Sequence, residues 1–198
     1  IGENSTLAEL RLSGNRIGDA GAQAIAGALR SNSTLAELSL YNNDISATGA
    51  AAIAEALHSN STLAELRMGG NKIGNAGAQA IAGALRSNLT LVALSLYYTD
   101  IGSTGAQAIA DALRSNLTLE EVDLPGFGSE FDEAMRRKLA ENTKARADTR
   151  LAAQMLVPSM FVQGTVVKAI QLHLVPLVDM PSSMKRAAVA AVLDGTIR

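Results

Sequence analysis

Leu7-Ala8-Glu9-Leu10-Arg11-Leu12-Ser13-Gly14-Asn15-Arg16-Ile17 is the stretch that decides the fold, because it returns along the chain at a fixed spacing. Its first six residues come back as 35–40, 63–68, 91–96 and 119–124, each 28 residues after the last. Such self-similarity is the signature of stacked supersecondary units, none of which can bury its apolar side alone. Leu10 and Leu12 alternate with Glu9 and Arg11, so each unit opens with a short strand that turns leucines inward and polar side chains outward. Further on, Ala22, Ile25 and Leu29 recur as Ala50, Ile53 and Leu57 at helical spacing, which predicts a helix packed behind the strand. Stacking these units gives a parallel inner sheet and an outer layer of helices.

Asn15, Asn43 and Asn71 stand where the chain leaves the strand, where an amide can satisfy backbone groups of a buried turn. Thr99 and Phe127 take the next two positions, so this asparagine ladder ends before the leucines do. In the fifth unit Ser129 replaces the isoleucine of Ile17, Ile45, Ile73 and Ile101, and Arg137 falls where Ile25 and Ile109 stood, which would put a charge in the helical core. Residues from about 125 onward therefore belong to a different, capping arrangement. A second period overlies the first: units one and three share Arg-Leu/Met-Ser/Gly-Gly-Asn, units two and four share Ser-Leu-Tyr, and the pair repeats every 56 residues.

The pattern L-x-x-L-x-L-x-x-N-x-I, filled by Leu7, Leu10, Leu12, Asn15 and Ile17 and again by Leu63, Leu66, Met68, Asn71 and Ile73, resembles the leucine-rich-repeat family. The 28-residue length, the Gly-Ala-Gln-Ala-Ile-Ala-Gly-Ala-Leu run and the paired units are similar to its ribonuclease-inhibitor subclass, as found also in NOD-like receptors. The resemblance implies an α/β leucine-rich-repeat solenoid over 1–128 with about five strands, and leaves 129–198 as a helical C-terminal cap and extension. It also implies that Asn4-Ser5-Thr6, Asn32-Ser33-Thr34, Asn60-Ser61-Thr62, Asn88-Leu89-Thr90 and Asn116-Leu117-Thr118, though each fits a glycosylation sequon, are turns between helix and strand. Because Asn4-Ser5-Thr6 aligns with the later joints, Ile1 falls at the end of a preceding unit's helix, and more units or a cap are expected upstream.

Composition narrows the function. Hydrophobic residues make up 47% and charged residues 18%, as in a folded protein, and the net charge of −2 gives no attraction to phosphate backbones or anionic lipid. Neither nucleic acid nor membrane is the expected partner. The sum hides an asymmetry, with 7 Lys/Arg against 12 Asp/Glu over 1–128 and 10 against 7 over 129–198. There is no cysteine, hence no disulfide, thiolate metal site or thiol nucleophile, which favours a reducing compartment. No signal peptide or spanning stretch is visible, and a cytoplasmic location is expected, with a bacterial effector delivered to a host cell as the alternative.

Catalysis has no foothold here. His58 and His173 are the two histidines and neither has an evident partner, whereas a zinc site or a triad needs several convergent groups. No phosphate-cradling glycine motif occurs, so neither a cofactor nor a metal is expected. Ubiquitin ligases of bacterial effectors share the architecture but need a cysteine. GTPase-activating relatives remain an alternative, for which Arg11 or Arg16 would lie near the partner.

The outward strand positions form columns that make a candidate binding face: Glu9, Glu37, Glu65, Ala93 and Glu121 in one, Arg11, Ser39, Arg67, Ser95 and Asp123 in the next. Two further columns hold Ser13, Tyr41, Gly69, Tyr97 and Pro125, then Gly14, Asn42, Gly70, Tyr98 and Gly126, and so collect all three tyrosines. Exposed tyrosine is a good anchor for a protein partner, since it combines a rigid apolar ring with a polar tip. The competing readings are that tyrosine here only follows β-propensity, and that the glutamates only pair weakly with Arg11 and Arg67. The leading expectation is a non-catalytic module that binds a protein on its concave face. In the C-terminal part, Phe131, Ala134, Met135 and Leu139 begin a long helix that Pro158 ends, and the apolar runs 166–175 and 182–193 lie beyond it. Their apolar stripe makes self-association through 159–198 the alternative role, in which the chain is a structural or consensus-like repeat scaffold.

Overall fold

The computed structural model describes residues 3–156, which comprise β1 (Glu9–Arg11), α1 (Gly18–Leu29), β2 (Glu37–Ser39), α2 (Ala47–Leu57), β3 (Glu65–Arg67), α3 (Gly74–Leu85), β4 (Ala93–Ser95), α4 (Ser103–Leu113), β5 (Glu121–Asp123) and α5 (Ser129–Leu156). The chain divides into two units, Ile1–Thr143 and Lys144–Arg198. Of the second, only the end of α5 lies among the described residues. His173, Pro158 and the expectations for 159–198 fall outside them.

In the first unit the five strands form one parallel sheet in the order β1-β2-β3-β4-β5. Glu9 pairs with Glu37, Leu10 with Leu38 and Arg11 with Ser39, and the same one-period register continues to β5. The fold is the leucine-rich-repeat solenoid. Leu35, Leu38, Leu40 and Ile45 are buried in the second unit, as are Leu63, Leu66, Met68 and Ile73 in the third. Fully burying one such side chain contributes roughly 1.5–3 kcal/mol, and each unit does so by closing on both neighbours. At the two ends of the described stack the same positions are half-exposed: Leu7, Leu10, Leu12 and Ile17 at one, Val122 and Leu124 at the other.

Close packing of the helices depends on their small residues. A Cβ on Gly77 would stand 2.4 Å from Ile73 Cγ2 and 3.1 Å from Ala50 Cβ, and one on Gly49 would stand 2.6 Å from Asp19 Oδ1.

Two asparagine ladders stitch the units together. At the strand exit, Asn71 Oδ1 accepts from the backbone N–H groups of Asn43 and Ile45, both at 3.0 Å, while its Nδ2 donates to Leu40 O at 2.9 Å and Met68 O at 2.8 Å. Asn43 repeats the pattern one unit earlier, on Asn15 N, Ile17 N and Leu12 O. Thr99, which has no amide, turns its hydroxyl back to Leu96 O. At the helix exit, Asn60 Nδ2 donates to Leu29 O and Asn32 O, Asn88 Nδ2 to Leu57 O and Asn60 O, and Asn116 Nδ2 to Leu85 O and Asn88 O. Their Oδ1 atoms accept from the N–H groups two and three residues on. Four of the five sequon asparagines, Asn32, Asn60, Asn88 and Asn116, are therefore buried and fully used in backbone bonding, as the turn reading requires.

The 56-residue alternation has its own physical basis. Asp19 of the first unit caps the helix of the second: its carboxylate accepts from Ser46 N at 2.8 Å, Ser46 Oγ at 2.6 Å and Gly49 N at 3.0 Å. Asn75 does the same for α4, accepting from Gly102 N at 2.9 Å and Gly105 N at 3.0 Å. The equivalent positions of units two and four are Ala47 and Ser103, and neither makes such a cap. Odd units thus hold the helix starts of even units.

The fifth helix is rewritten in the way its sequence demands. Arg137 is exposed, because α5 is rotated to present Met135 and Leu139 to the core instead. Phe131 packs edge-on against Phe127 with ring centroids 5.7 Å apart. Asn142 then closes the helix-exit ladder from α5, its Nδ2 donating to Asn116 O at 3.1 Å and Leu119 O at 2.8 Å.

Candidate functional site

The outward side of the sheet is built by the short strands, whose outward residues the parallel register stacks in rows. Glu9, Glu37, Glu65 and Glu121 lie in one row with Ala93 interrupting it, and Arg11, Ser39, Arg67, Ser95 and Asp123 lie in the other. Within a strand Arg11 pairs with Glu9 and Arg67 with Glu65. Pairs this exposed contribute little to stability and leave their charges available to a partner. Ser95 Oγ donates to Asp123 Oδ2 at 3.3 Å. The small Ala93 and Ser95 leave a notch of about 260 Å³ walled by Glu65 and Arg67 on one side and Glu121 and Asp123 on the other. Glu37 has Ser39 rather than an arginine beside it, so acidic side chains outnumber basic ones along the face.

The tyrosines sit beside this face, not within it. β2 ends at Ser39 and β4 at Ser95, so Tyr41, Tyr97 and Tyr98 occupy the turns where the strands exit. They are 46%, 40% and 68% exposed, a large apolar surface for a turn. Tyr41 lies across the glycines of the next unit: a Cβ on Gly69 would come within 3.2 Å of its ring, and one on Gly70 within 3.3 Å. Tyr97 and Tyr98 pack ring to ring, with centroids 4.0 Å apart and a tilt of 59°. The Tyr98 hydroxyl, hydrogen-bonded to that of Tyr97, is the main reason the Tyr97 hydroxyl is held above its ordinary pKa, and the carboxylate of Asp123 adds to the effect.

Tyr98 also stands in a left-handed backbone conformation, with φ of 56°. The same position carries Gly14, Asn42 and Gly70 in the other units, all with positive φ. Glycine and asparagine tolerate that region, whereas a bulky side chain there costs roughly 1–2 kcal/mol. The Tyr98 ring packs against Tyr97 and is otherwise largely exposed.

Several contacts were not legible in the sequence. His58 has a partner after all, since its Nδ1 lies 2.7 Å from Ser87 Oγ in the next unit. Ser87 Oγ also bonds Ala84 O, and the His58–Ser87 pair works as a tie between helix ends. Gly69 and Gly70 as the seat of Tyr41 are visible only once the units are stacked. Leu89 and Leu117 are 68% and 63% exposed at the joints that lead into β4 and β5, on the sheet edge opposite the tyrosines. Serine holds that place in the earlier joints, at Ser5, Ser33 and Ser61, and this substitution was the available signal.

Among the described residues no group of His, Asp and Glu could hold a metal ion, and no helix is long and apolar enough to cross a membrane. Arg16, on the turn after the first strand, also has positive φ, at 53°.

The chain solved as leiomodin-1 actin-binding site 2 superposes on this fold with a TM-score of 0.74 and 25% identity, covering 78% of this chain and 91% of that one. The tropomodulin C-terminal domain of Caenorhabditis elegans matches with a TM-score of 0.69 over 76% of this chain and 92% of that one; at 16% identity the likeness is one of fold. No curated protein matches the chain. The family model described as the TMOD/LMOD leucine-rich domain matches residues 1–99, which run from the first strand through the tyrosine turn after the fourth. By that match the chain belongs to the TMOD/LMOD leucine-rich domain family.

Proposed function

We propose that the chain is a non-catalytic recognition module whose protein partner is actin, engaged by the concave sheet of the 1–128 body and its tyrosine rim. The observation that carries this reading is membership of the TMOD/LMOD family together with the likeness to a domain described as an actin-binding site. Tyr41, Tyr97 and Tyr98 are the anchors. Glu9, Arg11, Glu37, Glu65, Arg67, Glu121 and Asp123 set the charge pattern that a partner must complement, which favours register and association rate more than affinity. The strained Tyr98 supports the assignment, because a residue that costs stability at its own position is a candidate for binding. A cytoplasmic setting accompanies this partner.

The test is co-sedimentation of the purified chain with filamentous actin and a polymerisation assay with monomeric actin. The intact chain binds one of the two forms. Replacing Tyr41, Tyr97 and Tyr98 together by Ala weakens binding at least about tenfold, as expected for clustered aromatic anchors, with the circular dichroism spectrum unchanged. Absence of binding to both forms removes actin as the partner; undiminished binding by the triple variant removes the tyrosine rim as the contact.

A further inference from the structure

We propose that the outer edge of β5, which pairs with no further strand among the described residues, and the groove between it and the start of α5 are a docking site for an extended peptide that adds to the sheet as a sixth parallel strand, apolar side chains inward and basic side chains outward. The site shares Glu121 and Asp123 with the face assigned to actin, but the argument for it stands on the β5 edge and does not depend on that reading.

The argument starts from how the strands are joined. Leu12 N donates to Ser39 O, Leu40 N to Arg67 O, Met68 N to Ser95 O and Leu96 N to Asp123 O. In every unit, therefore, the backbone group at this position is taken by the following strand. Its counterpart in the fifth unit is Leu124 N, and among the described residues no strand follows β5 to supply the acceptor. The side chains tell the same story. Leu38, Leu66 and Leu94 are buried, as are Leu40, Met68 and Leu96, but Val122 and Leu124 are only half-buried. α5 completes the core through Phe131, Met135 and Leu139 without replacing the missing strand. What remains is a groove of about 320 Å³, with Val122, Leu124, Phe131, Met135 and Leu139 as its apolar lining and Asp123, Asp132 and Arg136 as its charged lining. That is large enough for one or two aliphatic side chains and lies beside the backbone of β5, whose Leu124 N meets no acceptor strand among the described residues, the combination used in strand addition.

The register fixes the chemistry of the occupant. Residues stack one above another across this sheet, so the outward side chains of an added strand would lie opposite Glu121 and Asp123, and its inward ones opposite Val122 and Leu124. Opposite charges favour such cross-strand pairs and like charges oppose them. The fitting segment is therefore basic-aliphatic-basic-aliphatic. Head-to-tail addition of a second copy through β1 is the less complementary occupant, since it would set Arg11 against Asp123 but Glu9 against Glu121, matching one of the two charged positions where a basic strand matches both.

Synthetic peptides test this on the intact 198-residue chain without altering its fold. An end-capped Lys-Leu-Lys-Leu peptide is titrated against isotope-labelled protein and followed by amide chemical shifts and hydrogen exchange. The expected result is shifts at Val122, Leu124, Gly126 and Phe131, with slower exchange at the Leu124 amide. Affinity should exceed that of Glu-Leu-Glu-Leu by about tenfold, from two favourable cross-strand pairs replacing two unfavourable ones. By the pattern in which Glu37 N donates to Ala8 O, the lysine amides of the peptide donate to β5, so N-methylating both abolishes binding. Equal binding of the N-methylated peptide overturns strand addition. Shifts centred on residues 9–67 would mean charge attraction to the concave face and overturn the groove as the site. Concentration-dependent mass in light scattering, with β1 and β5 resonances broadened together, would assign the edge to a second copy and overturn the peptide.

Discussion

Replacing Asn71 by Ala tests the idea that the strand-exit amides hold the stack together. Asn71 is 2% exposed, and its Oδ1 is the acceptor for the backbone N–H groups of Asn43 and Ile45, two residues with no exposed surface. Alanine would leave both donors buried and unpaired, and each costs about 1–3 kcal/mol. The carbonyls of Leu40, Met68 and Gly69 lose a donor as well. A loss of about 3 kcal/mol or more follows, a large share of the ~5–15 kcal/mol typical of a folded domain. The first unit supplies the control. Asn15 is exposed, and of the two carbonyls its Nδ2 bonds, Leu12 O keeps Asn43 Nδ2 as a donor and Ser13 is an exposed residue, so Asn15→Ala costs less than about 1 kcal/mol. The assay is urea unfolding followed both by far-ultraviolet circular dichroism and by tyrosine fluorescence, with coincident transitions required before free energies are compared. If the two variants lose stability equally, or Asn71→Ala loses less than about 1 kcal/mol, the ladder does not carry the load assigned to it.

Three further outcomes follow from the packing. Asp19→Ala removes the acceptor for Ser46 N and Gly49 N while Ser46 Oγ still accepts from Thr48 N, and costs about 1 kcal/mol at neutral pH, whereas Asp19→Asn keeps the acceptor found naturally at Asn75. The hydrogen bond from the Ser46 hydroxyl, then those from the backbone of Ser46 and Gly49, hold the Asp19 carboxyl below its ordinary value. Its contribution is therefore complete above the unfolded value of about 4 and is lost as pH falls through the lower folded value, so Asp19→Asn flattens the acid limb of a stability-pH profile. Gly83→Ala adds about 0.5–1 kcal/mol of stability, because a Cβ there meets nothing within 4 Å, while Gly77→Ala destabilises through the clash with Ile73; thermal melts of the two should move in opposite directions. Tyr98→Asn copies Asn42, relieves the left-handed strain and leaves the melting temperature equal or higher while actin binding falls; a lower melting temperature would mean the ring serves the fold.

The strands, the helices and their stacking were legible because every unit repeats its leucines at one spacing, and Leu38, Leu66 and Leu94 occupy one environment for one reason. Asn43 and Asn71 were legible too, since an amide at a buried turn has few other uses. Arg137 was informative by contradiction: a charge in an apolar slot forced a rotated helix, but which residues would replace it, Met135 and Leu139, required the third dimension. The caps by Asp19 and Asn75 were hidden because donor and acceptor lie about one unit apart in sequence. The same holds for His58 and Ser87. The tyrosines were gathered correctly by column, yet the strands proved too short to include them, so the rim is a set of turns with their own backbone demands.

The cap that reaches from one unit into the next changes how such a chain can grow or shrink. A helix start in units two and four relies on a side chain supplied by the unit before it, through Asp19 and Asn75. Deleting the third 28-residue unit alone would bring units two and four together and leave α4 without its acceptor, whereas deleting units two and three together keeps an odd unit ahead of the fourth. The heritable module is thus the couple rather than the single copy. Viable length variants of this array, natural or engineered, should be spaced by two.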